Sequence, residues 1–369
     1  MRILIVDTYY PAILAEHYRA RPELARASYD EQLAALMQRD FGTADAYSAG
    51  LRDAGHDAAD LIVNAAPLQR RWAAEHGVRL PPPLPVARAE RIALRRIALR
   101  QIAEYAPDVV YVQDLWFFTP ADLRALRKAG RRVVGQIASA SPPDAITTGY
   151  ELILTSFPHF VERYERLGVA SEYLAIAYDA RLHERLRASG ADPSAAAPRP
   201  RGAVFVGGVD PAVHAAGTRT LERLARDVEL EVWGYGADRL APGSPLRSRH
   251  RGQAWGLEMH RVFASARVVV NRHIDAAEGY ANNMRLFEAT GDGAALITEA
   301  APNLHELYAP GAEVATYRDE DELAATVRRL LADEDERRVL AEAGQRRTLA
   351  DHTYALRMRE LAAILERRL

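Results

Sequence analysis

The sequence contains no cysteine, and Lys128 is the single lysine among its 48 basic residues. Without cysteine, the chain cannot form disulfides, thiolate zinc sites, iron–sulfur clusters or cysteine nucleophiles. Its eleven histidines form no HExxH or HxxxH pair, so no zinc-binding pattern is present and we expect no metal site. No GK[ST] triplet occurs, which excludes a Walker loop, and there is no GxGxxG fingerprint.

Long apolar runs are absent as well. No stretch approaches the roughly 18–20 apolar residues of a membrane-spanning helix. The apolar run at the N-terminus is too short for the core of a signal peptide and is typical of a first β-strand. We therefore expect a cytoplasmic protein whose contact with membranes is at most peripheral.

The composition is that of a globular protein, with 49% hydrophobic and 27% charged residues. A chain of 369 residues is about twice as long as a typical domain, which predicts two domains, each with a full core. Lys and Arg number 48 against 50 Asp and Glu, so the formal net charge is -2. This near-neutral balance does not favour a nucleic-acid partner.

Short apolar runs rich in β-branched residues alternate with helical stretches such as Glu31–Ala54 and Ala87–Tyr105. The predicted strands of the first half are Ile3–Val6, Ala59–Val63, Val109–Val112, Arg132–Gly135, Leu152–Leu154 and Glu172–Leu174. Those of the second half are Ala203–Val206, Leu230–Trp233, Val268–Asn271, Ala295–Thr298 and Glu313–Thr316. Such alternation predicts an α/β fold of two doubly wound, Rossmann-like domains with parallel sheets.

The stretch at residues 187–202 is rich in Ala, Pro, Ser and Gly and is the best linker candidate. It separates an N-terminal domain, residues 1–186, from a C-terminal domain, residues 203–350. Residues 351–369 have one long helical pattern and no strand after it. Two doubly wound domains joined by a linker place a cleft between them, and ligands in such sheets bind at the carboxyl ends of the strands.

The most informative stretch runs from Val268 to Thr298. An apolar strand ends in Asn271-Arg272-His273, and after a polar loop Asn282-Asn283 begins a helix. Asparagine is a good helix cap, and the free N–H groups of a first helical turn favour an anion. Arg285 in that turn suits a diphosphate, and Glu288 can accept hydrogen bonds from a ribose diol. The same pattern also fits an ordinary capped helix with a solvent-facing Arg–Glu pair.

A second loop favours the same ligand. Gly207 and Gly208 lie between the strand Ala203–Val206 and a helix predicted near Ala212. Two glycines there allow the backbone to approach a phosphate closely, although they also fit a tight strand–helix turn. On that helix, His214 and Arg219 face either the cleft or the solvent.

These residues resemble the nucleotide-sugar site of GT-B glycosyltransferases. The motifs, in order, are FVGGVDP, WGYG, RGQAWGLEMHRVFASARVVVNRH, GYANNMRLFEATGDGAALIT and the closing HTYALRMREL. The chain is most similar to the CgeB-like (spore-protein-type) group of the retaining glycosyltransferase-1 assemblage. The resemblance covers residues 200–369 strongly and extends more weakly to Thr155–Val169 and the first strand.

The resemblance implies two Rossmann-like domains facing across a cleft, with the acceptor on the N-terminal domain and the last helix crossing back to it. It implies a nucleoside diphosphate sugar as co-substrate, a UDP-sugar favoured over GDP or dTDP, and no other cofactor. The acceptor is a glycan, lipid, protein or small molecule. Donor-binding residues are expected at Gly207, Gly208, Trp255, Arg272, His273, Tyr280, Asn282, Asn283, Met284, Arg285 and Glu288.

The expected reaction is glycosyl transfer, with retention and without a metal. Arg285 and Arg219 would stabilise the leaving diphosphate. Retention needs no dedicated base, whereas inversion would need one in the N-terminal domain, for which Asp114, His159 and Asp7 are candidates. Tyr9 and Tyr10 follow the first strand and are expected to line the acceptor side, or simply to pack in a loop.

The sequence departs from the family pattern at two places. Many retaining relatives carry two glutamates spaced by seven residues, but Tyr280 occupies the position that pairs with Glu288, and Glu278 is offset by two. The usual phosphate-binding lysine has no counterpart either, so an arginine must replace it. An epimerase or phosphorylase of the same fold, or a non-catalytic binder of sugar nucleotides, therefore remains an alternative.

Two Asp-x-Asp sequences, at Asp319–Asp321 and Asp333–Asp335, match a metal motif of other glycosyltransferases. Each precedes an apolar helical run and has a glutamate three residues after the first aspartate. That spacing is typical of a helix start, so we predict that both are caps.

Overall fold

The computed structural model of the chain describes residues 1–79 and 87–369. Its contacts divide the chain into two compact units. The first unit comprises Met1–Ala175 together with Ala355–Leu369, and the second comprises Ile176–Tyr354.

The first unit contains a six-stranded parallel sheet in the order β2-β1-β3-β4-β5-β6. The strands are β1 Arg2–Asp7, β2 Asp57–Ile62, β3 Val109–Val112, β4 Arg132–Ile137, β5 Leu152–Thr155 and β6 Ala170–Tyr173. The helices are α1 Pro11–Ala20, α2 Tyr29–Met37, α3 Ala46–Asp53, α4 Ala66–Glu75, α5 Ala87–Tyr105, α6 Pro120–Lys128, α7 Asp144–Thr147 and α8 Pro158–Arg166, with the C-terminal Tyr354–Arg368. Every residue of β3 and β5 is buried, as expected for parallel strands covered on both faces.

The second unit contains a five-stranded parallel sheet in the order β11-β10-β9-β7-β8. The strands are β7 Arg201–Val206, β8 Leu230–Trp233, β9 Ala266–Val270, β10 Ala295–Glu299 and β11 Ala315–Tyr317. The helices are α9 Leu182–Ala188, α10 Ala215–Asp227, α11 Leu246–Arg249, α12 Leu257–Ser265, α13 Met284–Gly291, α14 Leu304–Leu307, α15 Glu320–Ala332 and α16 Glu334–Asp351, and α17 is the C-terminal helix named above. One buried apolar cluster joins the sheet to α10 and α15.

All eleven predicted strands are present, which confirms the α/β fold with two parallel sheets. The two Asp-x-Asp sequences are confirmed as helix starts. Asp319 accepts a hydrogen bond from the Glu322 N–H and caps α15, and Asp333 accepts one from the Glu336 N–H and caps α16. These carboxylates are therefore used by backbone N–H groups of their own helices.

One predicted helix is divided in the structure, and another begins later than predicted. The stretch Glu31–Ala54 is divided into α2 and α3, because Asp40, Gly42 and Ala44 between them have positive φ angles of 52°, 63° and 43°. The helix predicted over residues 351–369 is present as α17, which begins at Tyr354 because α16 continues to Asp351. The backbone of Thr353, between these helices, forms a β-bridge with Tyr178.

The structure divides the chain after Ala175 rather than at the predicted linker, residues 187–202. That stretch belongs to the second unit, and Arg199 in it is buried. The Arg199 guanidinium donates to the carbonyls of Phe263 and Ala264 at the end of α12, and to the Asp292 carbonyl. Composition alone predicts a loop here but says nothing of these long-range hydrogen bonds.

Each sheet has one point at which the order of its strands reverses. In the first sheet β1 lies between β2 and β3, and in the second β7 lies between β8 and β9. The connections on the two sides of such a point leave in opposite directions, which opens a crevice at the carboxyl ends of the two strands. Among the described residues, no helix is both long and apolar enough to span a membrane.

Candidate functional site

The candidate site of the second unit lies at the carboxyl ends of β7, β8 and β9. The loops after β7 and β8 touch: the Gly207 N–H donates to the Trp233 carbonyl at 2.9 Å. A Cβ on Gly234, whose φ is +136°, would lie 2.0 Å from the Gly207 carbonyl oxygen. A Cβ on Gly208 would lie 2.6 Å from Nε2 of His214. The glycines predicted to approach a phosphate thus also have a packing reason to be glycine.

The start of α13 is held against the end of β9 by side-chain amides. Asn283 is the N-cap, and its Oδ1 accepts a hydrogen bond from the Leu286 N–H at 3.2 Å. Its Nδ2 donates to Oδ1 of Asn271 and to the Arg272 carbonyl, both at 2.8 Å. This arrangement fixes where the positive end of the α13 dipole lies relative to the strand edge.

Asn282 and His273 meet just before α13. The Asn282 N–H donates to Nδ1 of His273 at 3.3 Å, and Nε2 of His273 lies 3.3 Å from Oγ1 of Thr298. Burial and the nearby Arg272 lower the pKa of His273 to about 4, so the ring is neutral. The structure therefore gives His273 a role in holding the loop. Nδ2 of Asn282 is buried and has no hydrogen-bond partner among the described residues.

Arg272 lies over the first turns of α10. A Cβ on Gly217 would come within 2.4 Å of its Nη1, so only glycine allows this approach. The guanidinium is 3.9 Å from Glu299 and 3.7 Å from Asp275. Burial raises the pKa of Glu299, whose carboxylate also accepts a hydrogen bond from the His273 N–H at 2.5 Å.

Arg285 and Glu288 form an ion pair one turn into α13. Nε of Arg285 also donates to the Val206 carbonyl at 3.2 Å, and its guanidinium lies 5.8 Å from the centre of the Phe263 ring. The Glu288 side chain is 6% exposed, against 28% for Arg285. Glu288, predicted to accept hydrogen bonds from a ribose, and Arg285, predicted to bind a diphosphate, are therefore paired with each other.

Aromatic rings follow β8. Tyr235 and Trp255 are stacked, with ring centroids 6.3 Å apart and an interplanar angle of 10°. Nε1 of Trp255 donates to Oε1 of Gln253 at 3.0 Å, and the Tyr235 hydroxyl lies 3.1 Å from Nε2 of His214. Beside them is a cavity of about 470 Å³, whose lining includes Gln253 and Gly234. This volume falls in the usual range for small-ligand pockets.

The other donor-side residues are more peripheral. Tyr280 and Met284 are half-buried, and Arg219 is exposed on α10. Glu278, the carboxylate offset from the family pattern, has a left-handed backbone with φ +48°.

A different set of side chains lies at the carboxyl ends of β1 and β3 in the first unit. The Thr8 N–H donates to Asp7 at 2.7 Å, and the Thr8 hydroxyl donates to Asp114 at 3.0 Å. Burial, helped by the charges of Asp114 and Asp60 and opposed by the hydrogen bond from the Thr8 N–H, raises the pKa of Asp7 to about 7. Asp114 also accepts a hydrogen bond from the Trp116 N–H at 2.9 Å. Two candidate bases are thus brought together here.

The structure separates the remaining acceptor-side candidates. Tyr9 is 2% exposed and belongs to the core, whereas Tyr10 is 54% exposed. His159 lies after β5, where its ring contacts Phe157 and Phe160. In the sheet β4 separates that strand from β3. Trp116, which is 46% exposed, was not singled out from the sequence.

Sequence reasoning also missed a buried network in the second unit. The Tyr178 hydroxyl donates to Oδ1 of Asp292 at 2.6 Å, and Nδ1 of His260 donates to Oδ2 of the same carboxylate at 2.7 Å. No sequence signal indicates this network, because its members are separated along the chain by 32 and 114 residues.

Comparison with known proteins adds a family match. Residues 216–363, less than half of the chain, match the family model described as "Glycosyl transferase-like". These residues include α13 and the Arg285–Glu288 pair. The match agrees with the predicted class of enzyme, a glycosyltransferase. A search of the curated proteins gives no match.

Solved structures with the same fold cover nearly the whole chain. Sucrose-phosphate synthase from Thermosynechococcus elongatus is 14% identical, with a TM-score of 0.60 over 100% of this chain and 99% of that one. The Anabaena protein HepE in complex with UDP and glucose is 13% identical, with a TM-score of 0.62 over 99% of both chains. A glycosyltransferase from Rickettsia africae is 10% identical, with a TM-score of 0.59 over 100% of this chain and 98% of that one. The fold is therefore that of GT-B glycosyltransferases.

Proposed function

We propose that the chain transfers a glycosyl group from a nucleoside diphosphate sugar, with a UDP-sugar as the favoured donor, to an acceptor. The observation that carries this proposal is the edge of the second sheet at its reversal point. There Arg272 follows the end of β9, and Arg285 in the first turn of α13 pairs with the buried carboxylate of Glu288. The family match covers this edge, and the solved structures of Anabaena HepE contain UDP, UDP-glucose, or UDP and glucose.

The charges suit a leaving diphosphate. When the bond between the anomeric carbon and the diphosphate oxygen breaks, negative charge develops on that oxygen. Preorganised donors aimed at developing charge stabilise a transition state more than a ground state. Arg285 is the more exposed partner of the Arg285–Glu288 pair, and a diphosphate can bind its guanidinium through two parallel hydrogen bonds.

The other donor roles follow from position. Glu288 would accept hydrogen bonds from the ribose hydroxyls, and the rings of Trp255 and Tyr235 would contact the base beside the cavity. Asn282 has a buried amide without a protein partner among the described residues, and this Nδ2 suits a sugar hydroxyl or a phosphate oxygen. Arg219 would contribute a more distant positive charge.

We further propose that transfer occurs with retention of configuration and without a metal ion, as the resemblance to CgeB-like enzymes implies. The bond from the anomeric carbon to the acceptor oxygen then forms on the face that the diphosphate leaves. A diphosphate oxygen takes the acceptor proton on that same face, so no separate base is needed.

The cysteine-free composition supports a reducing compartment such as the cytoplasm.

Inversion is a second candidate mechanism, favoured by the pair Asp7 and Asp114. A carboxylate whose pKa is raised to about 7 by burial is well matched to accept a proton near neutral pH. The anomeric configuration of the first product, followed by proton NMR, distinguishes the two mechanisms. Inversion, together with loss of turnover in Asp7→Asn, would overturn retention.

The first experiment is a thermal-shift panel with UDP, GDP, dTDP, CMP and ADP, with and without EDTA. A ligand that binds only the native state raises its stability by about 2.7 kcal/mol at 100 times Kd. We expect a shift with UDP that EDTA does not change. Glu288→Gln should reduce that shift, whereas Glu278→Gln, on the nearby loop, should not.

Other outcomes separate the alternatives. If none of the nucleotides raises the unfolding temperature of the protein, the proposed donor site is contradicted. Binding without turnover of any donor would favour a non-catalytic sugar-nucleotide binder. An epimerised free sugar nucleotide would indicate an epimerase, and a sugar phosphate formed from a glycoside and phosphate would indicate a phosphorylase.

A further inference from the structure

The buried network of Tyr178, His260 and Asp292 lies directly beside the proposed donor site. Asp292 follows the last residue of α13, one turn after Glu288, and His260 is on the neighbouring helix α12. The side chains of His260 and Asp292 are 3% and 0% exposed. Their 2.7 Å contact is therefore shielded from water, where a charged pair interacts more strongly than at the surface.

The Asp292 side chain is held by two hydrogen-bond donors. Its two oxygens accept hydrogen bonds from different donors, the Tyr178 hydroxyl and Nδ1 of His260. Burial and the charge of Asp292 raise the pKa of Tyr178 well above its ordinary value, so this hydroxyl keeps its proton and donates. A Cβ on Gly291 would lie 2.6 Å from the Tyr178 ring, so glycine permits the approach.

His260 interacts electrostatically with both members of the proposed donor pair. Burial lowers the pKa of His260, whereas Asp292 and, to a smaller extent, Glu288 raise it, and Arg285 lowers it. The net result is a pKa above the ordinary 6.5. On α12 itself, Glu258 and Arg261 are exposed and form a pair with each other.

Two further groups belong to the packing around the network. Arg199 reaches the Asp292 carbonyl. The ring of His183, on α9, contacts Tyr178.

We propose that Asp292 and Tyr178 hold His260 as an imidazolium that replaces Arg285 as the counter-charge of Glu288 when a nucleoside diphosphate sugar binds. The inference rests on the proposed function. In the structure Arg285 is paired with Glu288, and a diphosphate would draw Arg285 away. A carboxylate that is 6% exposed is then stabilised by another positive charge, because an unpaired buried charge is strongly unfavourable. His260 supplies that charge and is thus a positioning residue for Glu288.

The proposal predicts a pH dependence with a definite sign. His260 is charged below its raised pKa and becomes neutral as the pH rises through it, so donor affinity should weaken as the pH rises above 6.5. The probe is UDP-glucose, because its diesterified diphosphate has no group that titrates between pH 6.0 and 8.5, so the charge of the diphosphate stays constant. Affinity is measured by titration calorimetry on the full chain.

Three variants test the network. His260→Asn keeps a side-chain amide that can donate to Asp292 but cannot carry charge, so we expect affinity at pH 6.5 to fall about tenfold, a usual size for coupled sites. Its pH dependence should disappear. Asp292→Asn should shift the midpoint of the pH dependence to lower pH, and Tyr178→Phe should shift it less. A purely structural role would not move this midpoint.

Two controls keep the test decisive. His305→Asn changes an exposed histidine on α14 of the second unit, and it should leave affinity and pH dependence unchanged. Uridine has the ribose but no diphosphate to draw Arg285 away, so its affinity should differ little between wild type and His260→Asn.

A proton NMR titration follows His260 directly. The imidazole proton signals of His260, assigned by their loss in His260→Asn, should titrate above pH 6.5 in wild type and at lower pH in Asp292→Asn.

The outcomes separate this inference from the proposed function. If wild type binds UDP-glucose but His260→Asn binds it equally well at every pH, this inference alone is overturned. If wild type binds none of the nucleotides or UDP-glucose, the proposed function fails, and this inference fails with it. Loss of affinity for UDP-glucose but not for uridine in His260→Asn supports both.

Discussion

The two sheets reverse their strand order at equivalent places, β1/β3 and β7/β9, but the side chains at those places have opposite charge. In the first unit the strand ends carry Asp7 and Asp114, and exposed Tyr10 and Trp116 follow them. In the second unit they carry two glycines and Arg272, with Arg285 close to the end of β7. The topology decides where a ligand binds, and the side chains decide which ligand is suited to each place.

The charges are also satisfied differently. In the second unit, Arg285, Glu288, His260 and Asp292 are all members of buried or half-buried ion pairs. In the first unit, Asp7 lies near other carboxylates, and burial makes its charged form costly. We interpret the second edge as preorganised for a polyanion and the first as suited to a neutral group that bears a proton.

The largest expected effect comes from removing the close packing that only the second edge has. Gly234→Ala would place a Cβ 2.0 Å from a backbone oxygen at φ +136°, so we expect a loss of about 3 kcal/mol or more in unfolding free energy. Urea unfolding measures it. Gly243→Ala, where a Cβ meets no atom of the described residues within 4 Å, is the matched control. Equal stability of the two variants would show that the two loops separate at little cost.

The second prediction concerns the charge difference itself. Arg285→Gln should weaken UDP binding about tenfold to a hundredfold, the usual worth of a hydrogen bond to a charged group. Asp7→Asn should leave UDP affinity unchanged, because its side chain belongs to the other unit. Calorimetry with UDP tests both variants, and Arg318→Gln on an exposed arginine is the control. A loss of UDP affinity in Asp7→Asn as large as in Arg285→Gln would contradict the comparison.

A third prediction concerns stability and pH in the first unit. The pKa of Asp7 is raised to about 7 in the folded state, so the folded state binds a proton that the unfolded state releases near pH 4. Folding should lose stability from this group as the pH rises from 4 through 7. Asp7→Asn should therefore be more stable than wild type at pH 8, by about 1 kcal/mol or more.

Thermal unfolding from pH 5 to pH 8 measures this difference. Asp53→Asn, which changes an exposed carboxylate of the same unit, should show the wild-type pH profile. An Asp7→Asn protein whose stability follows the wild-type profile at each pH would argue that the Asp7 carboxylate is well solvated.

The smallest expected effect is at Trp116. The side chain is 46% exposed, so Trp116→Ala should change the unfolding free energy by less than about 0.5 kcal/mol. If the first edge binds the acceptor, KM for the acceptor should rise several-fold while UDP affinity stays constant. Ile92→Ala, another exposed apolar residue of this unit, is the control and should leave KM for the acceptor unchanged.

Much of the fold could be predicted because its signals are local. The strand β9 and the helix α13 are separated by only 13 residues, and Asn283 caps α13 through its own backbone neighbourhood. The separation of α2 from α3 was not predictable in the same way. It depends on positive φ angles at Asp40 and Ala44, a backbone conformation that is uncommon for residues other than glycine.

The candidate site was predictable where it consists of a strand end and the next helix start. Arg285 and Glu288 are three residues apart on one helix, so helical geometry alone allows them to pair. The neutral state of His273 and the burial of Tyr9 were not readable, because both result from elements packed around them.

By itself, the sequence determined the order of the strands, the helix caps at Asp319 and Asp333, and the chemistry at each strand end. Hydrogen bonds and periodicity within a few residues decide these features. Only the tertiary structure decided that Arg199 belongs to the second unit and that Tyr178, His260 and Asp292 meet beside Glu288. Such contacts join positions far apart in the chain, and the free energy that holds them comes from burial and packing, which no local pattern records.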